Sequence, residues 1–327
     1  MVCDSVPSGD RKIAMTGISW DEVSFTLELL AQAIVSGILI GGVYALMSVG
    51  LGLIFGLMRV INFAQPDFMM LGMYAAFFAI AAVGGMAFAG PVVTTLLGAL
   101  VAAAVVGLLG WGVHRALLSH VLSEKQGGQD AQVMMTLGIS LLLQNGGRMV
   151  FGADPLTIRT PLSSQAWSWD FLLINQGKAM AFAVAIVLTI GLQLFMSRTL
   201  TGKSMRAAAD NPEAAVYMGV NVGRVHRIGF GLGIAMTAAA GALIATSTPF
   251  QPYIGLDFLI LMYASVVLGG LGSITGAFWG GMTIGLLQQV STVFLPIQLQ
   301  NMVVFVAFLL IVLVRPQGLF GRVSERI

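Results

Sequence analysis

Six stretches of the chain contain no Lys, Arg, Asp or Glu: residues 29–58, 68–114, 131–147, 179–197, 228–256 and 258–314. Each holds one or more apolar spans of about 20 residues, the length at which a helix rising 1.5 Å per residue crosses roughly 30 Å of hydrocarbon. In lipid every backbone amide and carbonyl must find its partner inside the protein, and a helix does this within one segment. The expected fold is therefore all-α, a polytopic transmembrane helix bundle. Composition agrees: charged residues make up 9% of the chain, against roughly 25% in a soluble domain, and the mean hydropathy is +0.91. A water-soluble globule is excluded, and the lipid bilayer is the first partner implied. A net charge of +2 with no basic, aromatic-studded patch gives no reason to expect nucleic acid.

Polar segments divide the bundle. Residues 1–28 form a polar tail with seven charges and no apolar core of the kind a cleavable signal needs, so a retained tail before a signal-anchor span is expected. Residues 29–314 form the membrane domain. Its first block, 29–58, is too long for one upright helix and is dotted with glycine, so tilt or a break is expected. Next comes the string Arg59-Val60-Ile61-Asn62-Phe63-Ala64-Gln65-Pro66-Asp67. A charge at the bilayer centre costs about 2.5–3.5 kcal/mol, so Arg59 and Asp67 should lie at an interface or face a cavity, with a broken helix near Asn62. Two readings stay open for Asn62 and Gln65: lining a polar cavity, or satisfying backbone groups freed by the break.

Gly90-Pro91 should separate two helices within 68–114, residues 115–130 should form a short polar loop, and residues 148–178 a longer one with Trp167 and Trp169 as interfacial anchors. Residues 198–227 carry Arg198, Lys203, Arg206, Arg224 and Arg227 against Asp210 and Glu213, and the tail 315–327 is also basic. The positive-inside rule puts both in the cytoplasm, so an even number of spans separates them. Four fit, with breaks near Pro252, around Gly276 and at Leu295-Pro296, giving about eight or nine spans in all.

Three patterns bear on function. Gly272, Gly276 and Gly280 recur every four residues, as do Ala277, Gly281 and Gly285; small residues at that spacing let membrane helices approach closely. Residues 210–219 read as a complete short helix. Asp210 or Asn211 supplies the cap, Pro212 suits the first position, Glu213 complements the positive end, and Gly219 suits a left-handed stop. Two turns are marginal in water alone, so this helix should dock on something, with Ala214 and Ala215 as a flat face. The histidines His114, His120 and His226 share no ligand spacing, and the single cysteine, Cys3, cannot build a metal centre, so no metal site is expected. Thr201-Gly202-Lys203-Ser204 mimics the end of a phosphate-binding loop, but the pattern needs glycine where Ser197 stands. No catalytic constellation of nucleophile and base is visible.

The string Asn211-Pro212-Glu213-Ala214-Ala215 followed by Gly219 resembles the EAA-type coupling motif of ABC importer permeases. The likeness sharpens to branched-chain amino-acid (Liv-type) permeases in five stretches: 56–64, 69–74, 202–207, 268–276 and 315–321. The length resembles the smaller of the two paired permease types. The resemblance implies a non-enzymatic, pore-forming subunit of the bacterial inner membrane. It implies that Asn211, Pro212, Glu213, Ala214, Ala215 and Gly219 form a short cytoplasmic helix seated in a cleft of an ATPase subunit, one of two ATPase partners that use ATP and Mg while this chain binds no cofactor. It also implies a second permease subunit, as heterodimer or homodimer, and an extracytoplasmic solute-binding protein. The region of Asn62, Phe63 and Gln65 would lie near the translocation path. Where such permeases usually have glycine this chain has Pro66, which removes a donor and fixes φ near −65°. Leucine, isoleucine and valine are the implied solutes, with urea or short amides as alternatives within the family. An ion-coupled secondary transporter is the alternative outside it, although 228–314 holds a single charge, Asp257.

Overall fold

The computed structural model describes residues 20–59, 61–83, 90–119, 129–169, 172–315 and 318–319. Most of the 1–28 tail, His120 and most of the basic 315–327 tail lie outside the described residues. Nine helices of fifteen or more residues build the bundle among the described residues: α1 (Trp20–Met58), α2 (Gln65–Val83), α3 (Pro91–Val113) and α4 (Gln129–Phe151), then, beyond a longer connecting segment, α5 (Gln176–Arg198). Two short helices follow, α6 (Leu200–Asp210) and α7 (Pro212–Tyr217). The bundle is completed by α8 (Val222–Ile244), α9 (Ile254–Gly269), α10 (Ile274–Phe294) and α11 (Gln300–Val314). Four of these segments are long and apolar enough, by length and composition, to cross a bilayer: Thr26–Met58, Pro91–Leu118, Gln176–Arg198 and Val222–Ile244. Four helices, α8 to α11, lie between the two basic segments; of them α8 meets that criterion, and α9 and α11 are shorter apolar helices.

The helix starts follow from side-chain chemistry. Asn175, Thr199, Asn211, Asn221 and Ser273 each accept a backbone N–H of the first turn that follows, satisfying donors a helix cannot satisfy itself. Pro91 occupies the first turn of α3, where a missing N–H costs nothing. Residues 29–58 do not break: α1 is one helix of 39 residues, roughly 58 Å long. The polar loop expected at 115–130 is shorter than that, because α3 continues through a π-turn, His114–Leu118, and Gln129 already begins α4.

Helices α1 and α8 form the centre. α1 packs against α10, α8 and α5, and α8 packs against α3 and α2. The antiparallel α1/α10 contact is backbone to backbone: a Cβ at Gly281 would collide with the Ala45 backbone, and one at Gly285 with Gly41. On the adjoining face Gly276 and Gly280 lie equally close to Gly269 and Ser265 of α9. Dispersion between touching backbones replaces the hydrophobic drive that lipid withholds. Gly272 departs from the expected stripe. Ser273 caps α10 by accepting from Gly276 N at 3.1 Å, so Gly272 stands before the helix in a turn with φ +89°, beside Gly56 of α1.

The segment between α4 and α5 folds into one helical turn, Pro161–Ser164, and an antiparallel hairpin of β1 (Ala166–Trp169) and β2 (Leu172–Asn175), with Trp167 opposite Ile174. Periodicity did not announce this hairpin. Gln32 of α1 completes it, donating from Nε2 to Leu173 O at 2.7 Å and accepting Leu173 N at 2.9 Å, which pairs backbone groups of β2 with a side chain.

Candidate functional site

The basic segment lies at the end of the bundle where α1 finishes. Leu57 of α1 meets Gly229 of α8, which also neighbours Met205 of α6. α6 is amphipathic, turning Gly202, Met205 and Ala208 inward; the look-alike Thr201-Gly202-Lys203-Ser204 is helix, and Gly202 presses on the backbone of Phe195 and Met196.

Asn211 ends α6 and begins α7 in one residue. Its N–H reaches Ala207 O at 3.1 Å, and its Oδ1 accepts Ala214 N at 3.0 Å. Pro212 follows at the first helical position, with Glu213 in the first turn. At the far end Gly219 has φ +82°. Gly219 N donates to Val216 O and Val220 N to Ala215 O, each at 2.9 Å, the paired bonds of a Schellman stop. A six-residue helix is thus closed at both ends by its own sequence.

The two alanines do not share a face, contrary to the flat surface expected of them. Consecutive residues sit about 100° apart on a helix, so Ala215 is buried against the bundle while Ala214 and Glu213 are exposed. The outward apolar surface is instead Val216, Tyr217 and Met218, with Tyr217 88% and Met218 84% exposed. Sequence reading passed over these three, although an apolar triplet in a basic, water-facing segment was the available signal.

A second polar group lies inside the bundle. Asn62 accepts Ala64 N at 3.2 Å and donates to Gln65 Oε1 at 3.0 Å. Gln65 Nε2 reaches Thr237 Oγ1 of α8 at 2.6 Å, and Thr237 donates onward to Gly233 O at 3.0 Å. Asn62 and Gln65 are both buried, with their amides engaged by the turn and by α8. Phe63 packs its ring 5.6 Å from that of Tyr263 of α9. Pro66 falls in the first turn of α2, where no N–H is needed.

The two charges around this break separate. Arg59 is exposed, with a left-handed φ of +52° where α1 stops. Asp67 corrects the expectation of an interface or cavity. It is 1% exposed, turned toward α4, and its Oδ1 accepts Gln144 Nε2 at 3.0 Å. Gln144 Nε2 also reaches Ser140 Oγ at 3.1 Å. Thr136, Ser140 and Gln144, four residues apart, are the buried face of α4, while Leu141, Leu142, Met149 and Val150 point outward. The polar side chains Thr136, Ser140 and Gln144 thus face the protein beside Ile139, and the exposed face of this helix is largely apolar.

His114 is buried, its ring 5.4 Å from Phe230, and no hydrogen-bond partner meets either of its nitrogens. Among the described residues no three His, Cys, Asp or Glu gather as a metal would require.

Comparison with known proteins places this architecture. The family described as branched-chain amino acid transport system / permease component matches residues 33–314. The chain is 29% identical over 297 residues to the high-affinity branched-chain amino acid transport system permease protein LivH of Escherichia coli, covering 89% of this chain and 95% of that one. It is equally similar, over the same shares, to the permease protein BraD of Pseudomonas aeruginosa. A shorter match, 30% over 168 residues and 48% of this chain, is to the autoinducer 2 import system permease protein LsrC of an Enterobacter strain, 45% of which is covered. No solved structure matches the chain.

Proposed function

The chain belongs to the branched-chain amino acid transport permease family, and from that premise we propose that it forms the membrane passage of an ATP-driven importer for branched-chain amino acids in the bacterial inner membrane. Its partners in this reading are two separate ATPase subunits that bind ATP and Mg, a second permease subunit and an extracytoplasmic solute-binding protein. The chain itself contributes no catalytic group.

The observation that carries the reading is α7. A helix of six residues, capped by Asn211 and stopped by Gly219, stands at the cytoplasmic end with Glu213, Ala214, Tyr217 and Met218 exposed. A rigid projection with a large aromatic tip is the type of surface on which interface energy concentrates. A motor that grips it more tightly in one nucleotide state shifts the bundle toward that state, since only differential contacts bias a conformational equilibrium. Asn62, Phe63 and Gln65 brace the wall of the passage, and Gly276, Gly280, Gly281 and Gly285, with Gly272 in the preceding turn, keep α10 seated on α1 and α9.

The test is a cysteine at Ala214, in a chain whose Cys3 is replaced by serine, reacted with a short bifunctional crosslinker in membranes containing the whole transporter. Crosslinks to an ATPase polypeptide, altered in yield by ATP, are expected. No crosslink in any nucleotide state would overturn the reading.

A further inference from the structure

Helices α5 and α10 both pack on α1 and leave a groove of about 370 Å³ between them. Its α5 wall is Ile186, Thr189, Ile190 and Gln193, spaced three and four apart and so on one helix face. Phe278 and Trp279 stand on the α10 side. The Thr189 hydroxyl is turned back to Ala185 O at 2.8 Å, so little but carbon faces the groove along this stretch.

At the cytoplasmic end the groove does not close. It shares Gln193, Ile274 and Thr275 with a second cavity of about 340 Å³, which is lined by Arg206 of α6 together with Ser197 and Ser273. Arg206 is exposed and meets no carboxylate among the described residues; Lys203 lies one turn earlier on the same helix. From Gln193 to Ile186 the groove rises roughly 10 Å along α5, toward the bilayer midplane.

A chamber whose one charged group is the exposed Arg206 guanidinium, set among Gln193, Ser197, Ser273 and the apolar Leu53, Leu57, Met196 and Met205, opens into a trough of carbon and matches a ligand with an anionic head and a hydrocarbon tail. We propose that this continuous site binds one anionic phospholipid of the cytoplasmic leaflet. Its phosphate meets the Arg206 guanidinium, whose planar fork fits phosphate oxygens, and one acyl chain lies along Ile186, Ile190 and Phe278. Basic pockets between membrane helices on the cytoplasmic side suit such headgroups. The choice of lipid over a second protein rests on charge complementarity: the open end offers the exposed Arg206 guanidinium at headgroup level. A lipid seated there spans α6 and α10 and braces the segment that carries α7. The inference is independent of which solute is carried.

The test measures lipid retained by the full-length protein purified in mild detergent from phosphatidylglycerol-containing membranes, read by native mass spectrometry. The wild-type chain should keep a phosphatidylglycerol that excess inorganic phosphate does not displace. Arg206→Gln should reduce retention about tenfold, the loss of one charge-assisted contact, whereas Arg224→Gln, which removes an exposed cation outside the chamber, should leave it unchanged. Ile190→Trp, which fills the trough and keeps the charge, should reduce it comparably. Equal retention in the Arg206 and Arg224 variants would overturn the proposal. So would displacement by phosphate alone, or a photo-crosslinker at position 279 that captures a second polypeptide in place of phospholipid.

Discussion

Gln144 of α4 donates its side-chain amide to the Asp67 carboxyl of α2 at 3.0 Å, inside the bundle and away from water. The bond joins the main bundle to a helix whose apolar residues face the other way. Replacing Gln144 with leucine leaves a buried carboxyl without its amide donor, which should lower stability by about 1–3 kcal/mol. The double replacement Asp67→Leu with Gln144→Leu removes both partners and should recover most of that loss. Thermal unfolding of the purified variants in detergent distinguishes the two; equal loss in single and double variants would show that the bond itself contributes little.

Gly219 is predicted to tolerate asparagine and to reject valine. A β-branched side chain at φ +82° carries a strain of about 1–3 kcal/mol, enough to reshape the end of α7. Gly219→Val should abolish uptake while membrane insertion stays normal, and Gly219→Asn should transport. Solute uptake by inverted or whole cells, normalised to protein in the membrane, reads the difference, and normal transport by the valine variant would count against α7 as the coupling element.

The glycines of α10 and α5 should respond in opposite directions. Gly281→Leu drives a side chain into the Ala45 backbone and should prevent stable assembly. Gly191 lies inside α5 with open space at its Cβ position, so Gly191→Ala should stabilise by about 0.5–1 kcal/mol through helix propensity. Detergent size-exclusion profiles and melting temperatures test the pair.

Thr237→Val keeps shape and removes the hydroxyl that Gln65 contacts at 2.6 Å. The remaining acceptor, Gly233 O, is 3.5 Å from Gln65 Nε2, so a penalty of about 1 kcal/mol is expected. Thr237→Ser, which restores the hydroxyl, should restore stability; failure of that rescue would assign the effect to packing.

The bundle was legible because hydrophobic length is a direct physical requirement of spanning lipid, and α7 was legible because Asn211, Pro212 and Gly219 each satisfy a local backbone need. What the sequence concealed depends on partners distant in the chain. Asp67 reads as a costly charge until Gln144, 77 positions away, is seen to face it. Gly272 reads as part of a helical stripe until the Ser273 hydroxyl is seen to start the helix one residue later. Gln32 gives no sign in one dimension that it will complete a hairpin at Leu173. The inward turn of Ala215 is different: 3.6-residue geometry separates neighbouring side chains, and the alternation was there to be used.

One residue, Asn211, serves as the last cap of α6 and the first cap of α7, with no spacer between them. Torque applied at the Tyr217 tip therefore meets an elbow without slack. Because Gly202 of α6 lies against the backbone of Phe195 and Met196 at the end of α5, the proposed coupling would make the elbow a bell crank, in which a sideways push at the protein's edge would become rotation of a whole helix. Inserting a single flexible residue after Asn211 would break its side-chain cap on Ala214 N, leave the Schellman stop of α7 in place and disconnect the two arms.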